Sequence, residues 1–189
     1  WFGKSEDDAR TASNQADLWW KKDPDQDTEI RQNFESMVLS AGQGHLDDWG
    51  EEPEGRLALI LLTDQFPRNI FRDTPEAFRF DTKALELCIE GLEGGMAARL
   101  RPIQRVFFYL PLEHSENIDH QTWCVDLMRA LARDVPDAWA ATFEQFIEFA
   151  EAHQRIIERF GRFPHRNAIL GRESSAEERE FLKQPGSSF

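Results

Sequence analysis

The chain has 189 residues, with 22 Lys and Arg against 35 Asp and Glu and a formal net charge of -13. That balance argues against duplex nucleic acid or an anionic membrane surface as a partner, because both are held by cationic protein surfaces, and no stretch reaches the roughly 18 apolar residues that cross a bilayer. Fifteen Phe and six Trp, with no Gly/Ser-rich or Pro-rich linker, predict one packed domain over residues 1–189 with a loose tail over 184–189.

Apolar residues recur at three- and four-residue spacing almost throughout, and bounded alternating runs are missing, so the predicted fold is all-α. A first helix is predicted from about Ser5 to Lys21. A second runs from about Asp27 to Ala41, with Asp25 and Asp27 at its positive end and Gly42 as its stop. After a loop from Gly44 to Gly50, Pro53 opens a third helix, and Pro67 ends it at Asp64-Gln65-Phe66 because proline cannot continue the hydrogen-bond ladder. Thr74-Pro75 reads as N-cap and first-turn proline of a fourth helix reaching about Gly91. Gly94-Gly95 breaks the chain, Arg101-Pro102 opens a fifth helix, and Pro111 interrupts it before a sixth from about Leu112 to Arg133. The longest helix starts at Pro136 and stops near Gly161, with Trp139, Phe143, Phe146, Ala150, His153, Ile157 and Phe160 as its seam. Ser174 or Ser175, in a capping box with Glu177 or Glu178, starts a final short helix.

Short connectors make these elements antiparallel helical hairpins, stacked as a bundle or a short superhelix. No fixed period supports a strict repeat array, and the tetratricopeptide Trp/Leu-Gly signature is missing. Cys88 and Cys124 lie in helices among apolar neighbours, which predicts buried, reduced thiols and a cytoplasmic setting.

The most informative segments are a nearly doubled turn, Phe66-Pro67-Arg68-Asn69 and Phe163-Pro164-His165-Arg166-Asn167, each closing an apolar helical run. Pairing the sixth and seventh helices as an antiparallel hairpin sets Pro111 to Glu116 beside Phe160 to Asn167 and makes His114 and His153 neighbours. If successive helices alternate up and down, Asp64 to Asn69 falls on the same rim. Arg155, Arg159, Arg162, Arg166 and Arg172 lie in a stretch whose one acid is Glu158, a local anion-binding signal in an acidic chain.

Two uses of this rim follow, beside a third reading in which its side chains only lock helix ends together. In the first, Arg68, Asn69, Arg162, His165, Arg166 and Asn167 hold a small anionic ligand or an acidic peptide. In the second, His114 or His153 carries a proton as general acid or base, with Glu113 or Glu116 orienting it. The spacing gives no metal-ligand motif, and neither a metal nor a cofactor is predicted.

The blocks Leu57 to Arg72, Phe107 to Glu116 and His153 to Arg172 resemble an uncharacterised, largely bacterial family catalogued as domain of unknown function nine-twenty-four. The resemblance spans essentially the whole chain. It implies an all-helical, tetratricopeptide-like superhelix and no established activity.

Overall fold

The computed structural model describes residues 1–188, and within them every regular element is helical. The predicted loose tail reaches one residue further, and Phe189 lies outside the described residues. Helix α1 (Asp8–Trp20) starts where the Asp7 carboxylate accepts the Arg10 N–H at 2.8 Å. Helix α2 (Pro24–Gly42) opens earlier than predicted, because Asp23 caps the N–H groups of Asp25 and Gln26 and Pro24 fits the first turn. Asp27 is thereby placed inside the helix, with its carboxylate free to reach another element.

Pro67 does not end the third helical run. Helix α3 (Pro53–Ile60) passes into a π-helical turn, Leu61–Gln65, in which the Phe66 N–H reaches back to the Leu61 carbonyl, and α4 (Phe66–Ile70) follows directly. Pro67 takes the second position of α4, where a new helical segment tolerates a missing N–H. All five residues of the π turn are buried, Thr63, Asp64 and Gln65 among them.

The next two prolines also act differently from expectation. Thr74 does not cap a long helix: its hydroxyl donates to the Phe71 carbonyl at 2.7 Å, Pro75–Phe78 forms one 3₁₀ turn, and α5 (Asp81–Glu93) begins only after Phe80. Phe80 offers no side-chain acceptor, so the opening N–H groups of α5 lack a side-chain cap. Pro111 sits in the last turn of α6 (Pro102–Glu113) and does not divide it. The break falls instead at His114 to Asn117, where the Asn117 side chain caps α7 (Ile118–Asp134).

Helix α6 is the centre of the core. Ile103, Val106, Phe107, Phe108, Tyr109, Leu110 and Leu112 are all buried, so it is apolar nearly all round and must be enclosed by other helices. Its neighbours include α1, α3, α5, α7 and α8 (Ala140–Phe160). Helices α7 and α8 run antiparallel, since Thr122 meets Gln154 and Arg129 meets Glu151. The α8 seam is buried at Phe143, Ala150, His153 and Ile157 and half-buried at Trp139, Phe146 and Phe160. Gly161 ends it at φ 65°, a left-handed conformation that suits glycine, and α9 (Ala176–Phe181) starts with the Ser175–Glu178 capping box. Cys88 and Cys124 are buried free thiols, and among the described residues no helix is long and apolar enough to cross a membrane.

Gly55 measures how tightly the α3 start is packed. A Cβ there would lie 2.1 Å from the Trp49 carbonyl oxygen, a backbone atom that cannot swing aside. We expect Gly55→Ala to destabilise the protein by about 1–3 kcal/mol although alanine favours helix, read as a lower urea midpoint with an unchanged m-value.

Candidate functional site

The three corners singled out in the sequence meet. At the first, α4 and the turn that follows it send side chains in two directions. Asn69 donates to Asp27 at 2.9 Å and Arg72 grips the same carboxylate through two bonds of 2.7 Å, tying α4 to α2. Arg68 points the other way, with two 3.0 Å bonds to the Asp81 carboxylate at the start of α5.

At the second corner, the Glu116 carboxylate accepts the Phe163 N–H at 2.8 Å and two bonds from Arg172 at 2.6 and 2.9 Å, which clamps the α6–α7 link to the turn after α8. Burial opposes ionisation of Glu116, and the Arg172 fork outweighs it, holding the carboxyl below its usual range. Arg162 forks onto Glu178 at 2.7 and 2.8 Å, and Asn167 donates to the Ser174 hydroxyl at 3.1 Å. Asn69, Arg162 and Asn167 are thus committed to neighbouring helix ends. Their partners lie outside the sequence windows that made them conspicuous.

At the centre lies Asp64, fully buried. Its Oδ1 lies 2.8 Å from His114 Nδ1, its Oδ2 accepts Gln65 Nε2 at 2.5 Å, and Arg68 Nη1 stands 3.3 Å from Oδ1. Burial would raise this carboxyl, but Arg68 and His114 overcome it and keep Asp64 ionised. An ionised carboxylate only accepts, so the proton between the two side chains sits on Nδ1 and the neutral His114 ring has its lone pair at Nε2. Burial, aided by Arg68, lowers the His114 pKa below its ordinary value, which makes neutral imidazole the resting form at pH 7. The carboxylate that orients His114 is therefore Asp64, whereas Glu113 faces the other way, toward Cys124 and His153.

Arg166 reaches the backbone of His114. Its Nη1 donates to the His114 carbonyl at 3.0 Å, and its guanidinium lies between the rings of Phe163 and Phe78 at 4.5 and 4.9 Å from their centroids. Only 7% of the residue is exposed, its Nε is buried without a hydrogen-bond partner, and its nearest carboxylate, Asp81, is 3.7 Å away. Burial and the charge of Arg68 push its pKa down to about 10, which still leaves it charged at neutral pH. A groove of about 220 Å³ opens here. It is lined by Asp81, Thr82 and Leu85 of α5 together with Pro111, His114, Ser115, Glu116 and Arg166.

Behind the groove, the titratable groups are held neutral. The rings of His114 and His153 are 6.3 Å apart, and burial drives His153 down to about 3, even though its Nδ1 lies 2.8 Å from the Phe149 carbonyl. His165, beside the Phe163 ring, is lowered to about 4 by burial and by Arg166. Burial and the charge of Asp64 raise Glu113 to about 8, so it carries its proton at neutral pH. Among the described residues, no three His, Cys, Asp or Glu side chains are grouped to hold a metal ion.

Glu113 yields a pH signature. Its folded pKa lies above its unfolded value, so the unfolded chain releases this proton first, and the stability it contributes is complete below about pH 4.5 and fades as pH rises to about 8. We expect Glu113→Gln, which cannot ionise, to gain stability over wild type progressively across that window, on the order of 4 kcal/mol at pH 8 and near zero at pH 4.5. Denaturant titrations of both proteins at several pH values measure the difference.

Comparison with known proteins places the chain in a wider group without naming an activity. No curated protein matches the chain. A solved structure of a protein of unknown function from Agrobacterium tumefaciens is 37% identical, covers 94% of this chain and 99% of its own, and superposes with a TM-score of 0.78. The family model described as "Bacterial protein of unknown function (DUF924)" matches residues 1–186. The chain therefore belongs to the DUF924 family of bacterial proteins of unknown function.

Proposed function

We propose that the protein is a helical binding module that holds a small anion in the groove between the start of α5, the α6–α7 link and the Phe163-Pro164 turn. One observation carries the reading. Arg68, Arg159, Arg162 and Arg172 each hold a carboxylate at 3.0 Å or closer, whereas Arg166 is buried on the groove wall with no carboxylate inside hydrogen-bond distance. A buried guanidinium with spare N–H donors has hydrogen-bonding capacity that the protein leaves unfilled, and an anion entering the groove would fill it. The uncapped N–H groups at the start of α5 add partial positive charge beside Thr82. The acids on the rim do not oppose this, because Asp81 is held by Arg68 and Glu116 by Arg172.

The same reading takes the stacked hairpins as a tetratricopeptide-like superhelix and the setting as cytoplasmic, which suits two buried free thiols. A second reading, an enzyme using His114 as proton acceptor, is favoured by the 2.8 Å Asp64–His114 bond, which fixes the ring with Nε2 as its basic atom.

Chemical-shift titration with sodium propionate and with inorganic phosphate tests the binding reading. Shifts should localise to Thr82, His114 and Arg166, and Arg166→Gln should weaken binding about ten- to a hundred-fold, the loss of about 1.5–3 kcal/mol for a charged hydrogen bond. Arg166→Lys, which keeps the charge, serves as the folding control. Neither anion shifting the wild-type resonances rules the groove out and leaves the helix-locking role.

A further inference from the structure

We infer that the groove is built for a small monocarboxylate with a short apolar tail, and that the ligand is held by Arg166 while one proton is taken up at Nε2 of His114. The inference rests on the anion-binding reading above and adds to it the ligand class and the proton.

Charge around the groove is already balanced. Asp64, Asp81 and Glu116 face Arg68, Arg166 and Arg172, with Arg68 shared between Asp64 and Asp81. His114, His153 and His165 are neutral, and Glu113 is protonated. An arriving anion would therefore be an uncompensated charge in a half-buried site, unless a proton comes with it.

His114 is placed to take that proton. It is faced by Asp64 of the π turn, Arg68 of α4, Asp81 of α5, Ser115 and Glu116 of the link, His153 of α8, and His165 and Arg166 of the turn, while Glu113 of α6 turns away toward Cys124 and His153. None of these hydrogen-bonds to Nε2, and the ring lines the groove with 15% of its side-chain surface exposed. Protonation at Nε2 turns an acceptor into a donor aimed at the ligand. It also leaves the imidazolium between two carboxylates, that of Asp64 and that of the ligand, which favours the charged ring.

The class follows from what the walls offer. A phosphate dianion needs two compensating charges, whereas Arg166, with one Nη already on a carbonyl, and one imidazole supply only what a single carboxylate demands. Leu85 and Pro111 add apolar surface to an otherwise polar lining, and about 220 Å³ admits only a small molecule.

Calorimetry of sodium propionate binding at pH 7.5 in imidazole chloride and in Tris chloride, two buffers with different ionisation enthalpies, counts the protons. About one proton should be taken up per propionate, and affinity should fall about tenfold per pH unit across the upper part of the pH range. His114→Gln should bind propionate more weakly, with no proton uptake and no pH dependence, while its unliganded melting curve confirms that it folds. Propionate binding to wild type without proton uptake overturns the inference and leaves the groove reading intact, as does phosphate binding more tightly than propionate at pH 7.5. Failure of both anions to bind removes the groove reading, and this inference with it.

Discussion

A carboxylate with no solvent exposure has to collect its donors from the protein, and Asp64 collects them from several directions. Gln65 lies beside it on the π turn, Arg68 is one turn further along, and His114 closes from the end of α6. Removing one partner from such a buried group costs about 3–5 kcal/mol, because the remaining charge is stranded. The positions of the surrounding elements follow from that requirement. The π turn faces Asp64 inward, α4 must carry Arg68 back over it, and the α6–α7 link must bring His114 within 2.8 Å.

From Asp64 the charges alternate outward. Arg68 bridges Asp64 to Asp81, Arg166 stands beyond Asp81, and Glu116 with Arg172 fixes the far side. The two Phe-Pro turns share this network, but their residues do different work. Asn69 and Arg72 bind α2, and Arg162 binds the Glu178 of the last capping box. Only the arginines of the two turns, Arg68 and Arg166, converge, and both guanidiniums lie over the ring of Phe78. The acidic excess of the chain thus coexists with a locally balanced centre, in which Arg68, Arg166 and Arg172 offset Asp64, Asp81 and Glu116.

Much of the helical architecture was legible because it is encoded locally. The seam of α8, its stop at Gly161, and the capping box at Ser175 depend on residues within a few positions of one another. The prolines were misread because their effect depends on what precedes them. Pro67 looked like a terminator, yet the π turn before it has already shifted the hydrogen bonding, and Pro111 sits so near the end of α6 that the helix ends on its own. The meeting of three corners could be reasoned from helix direction alone. Which carboxylate would orient His114 could not, because Asp64 falls at an expected helix end in sequence and becomes a buried counter-charge only when the π turn rotates it inward. Asp81 and Phe78 carry no local mark at all, and they stand out only once Arg68 and Arg166 are seen to converge on them.

The π turn has a geometric consequence that reaches beyond its own residues. It winds in one residue more than an α-helix would, which rotates everything after it by about 100° relative to an uninterrupted helix. A helical-wheel projection drawn from Pro53 through Ile70 therefore assigns Arg68 and Asn69 to the wrong faces. With that extra residue removed, the α4 face that meets Asp27 would swing away from α2. A single supernumerary position thus acts as a phase shift along one helix, and it decides which distant segments of the chain come into register.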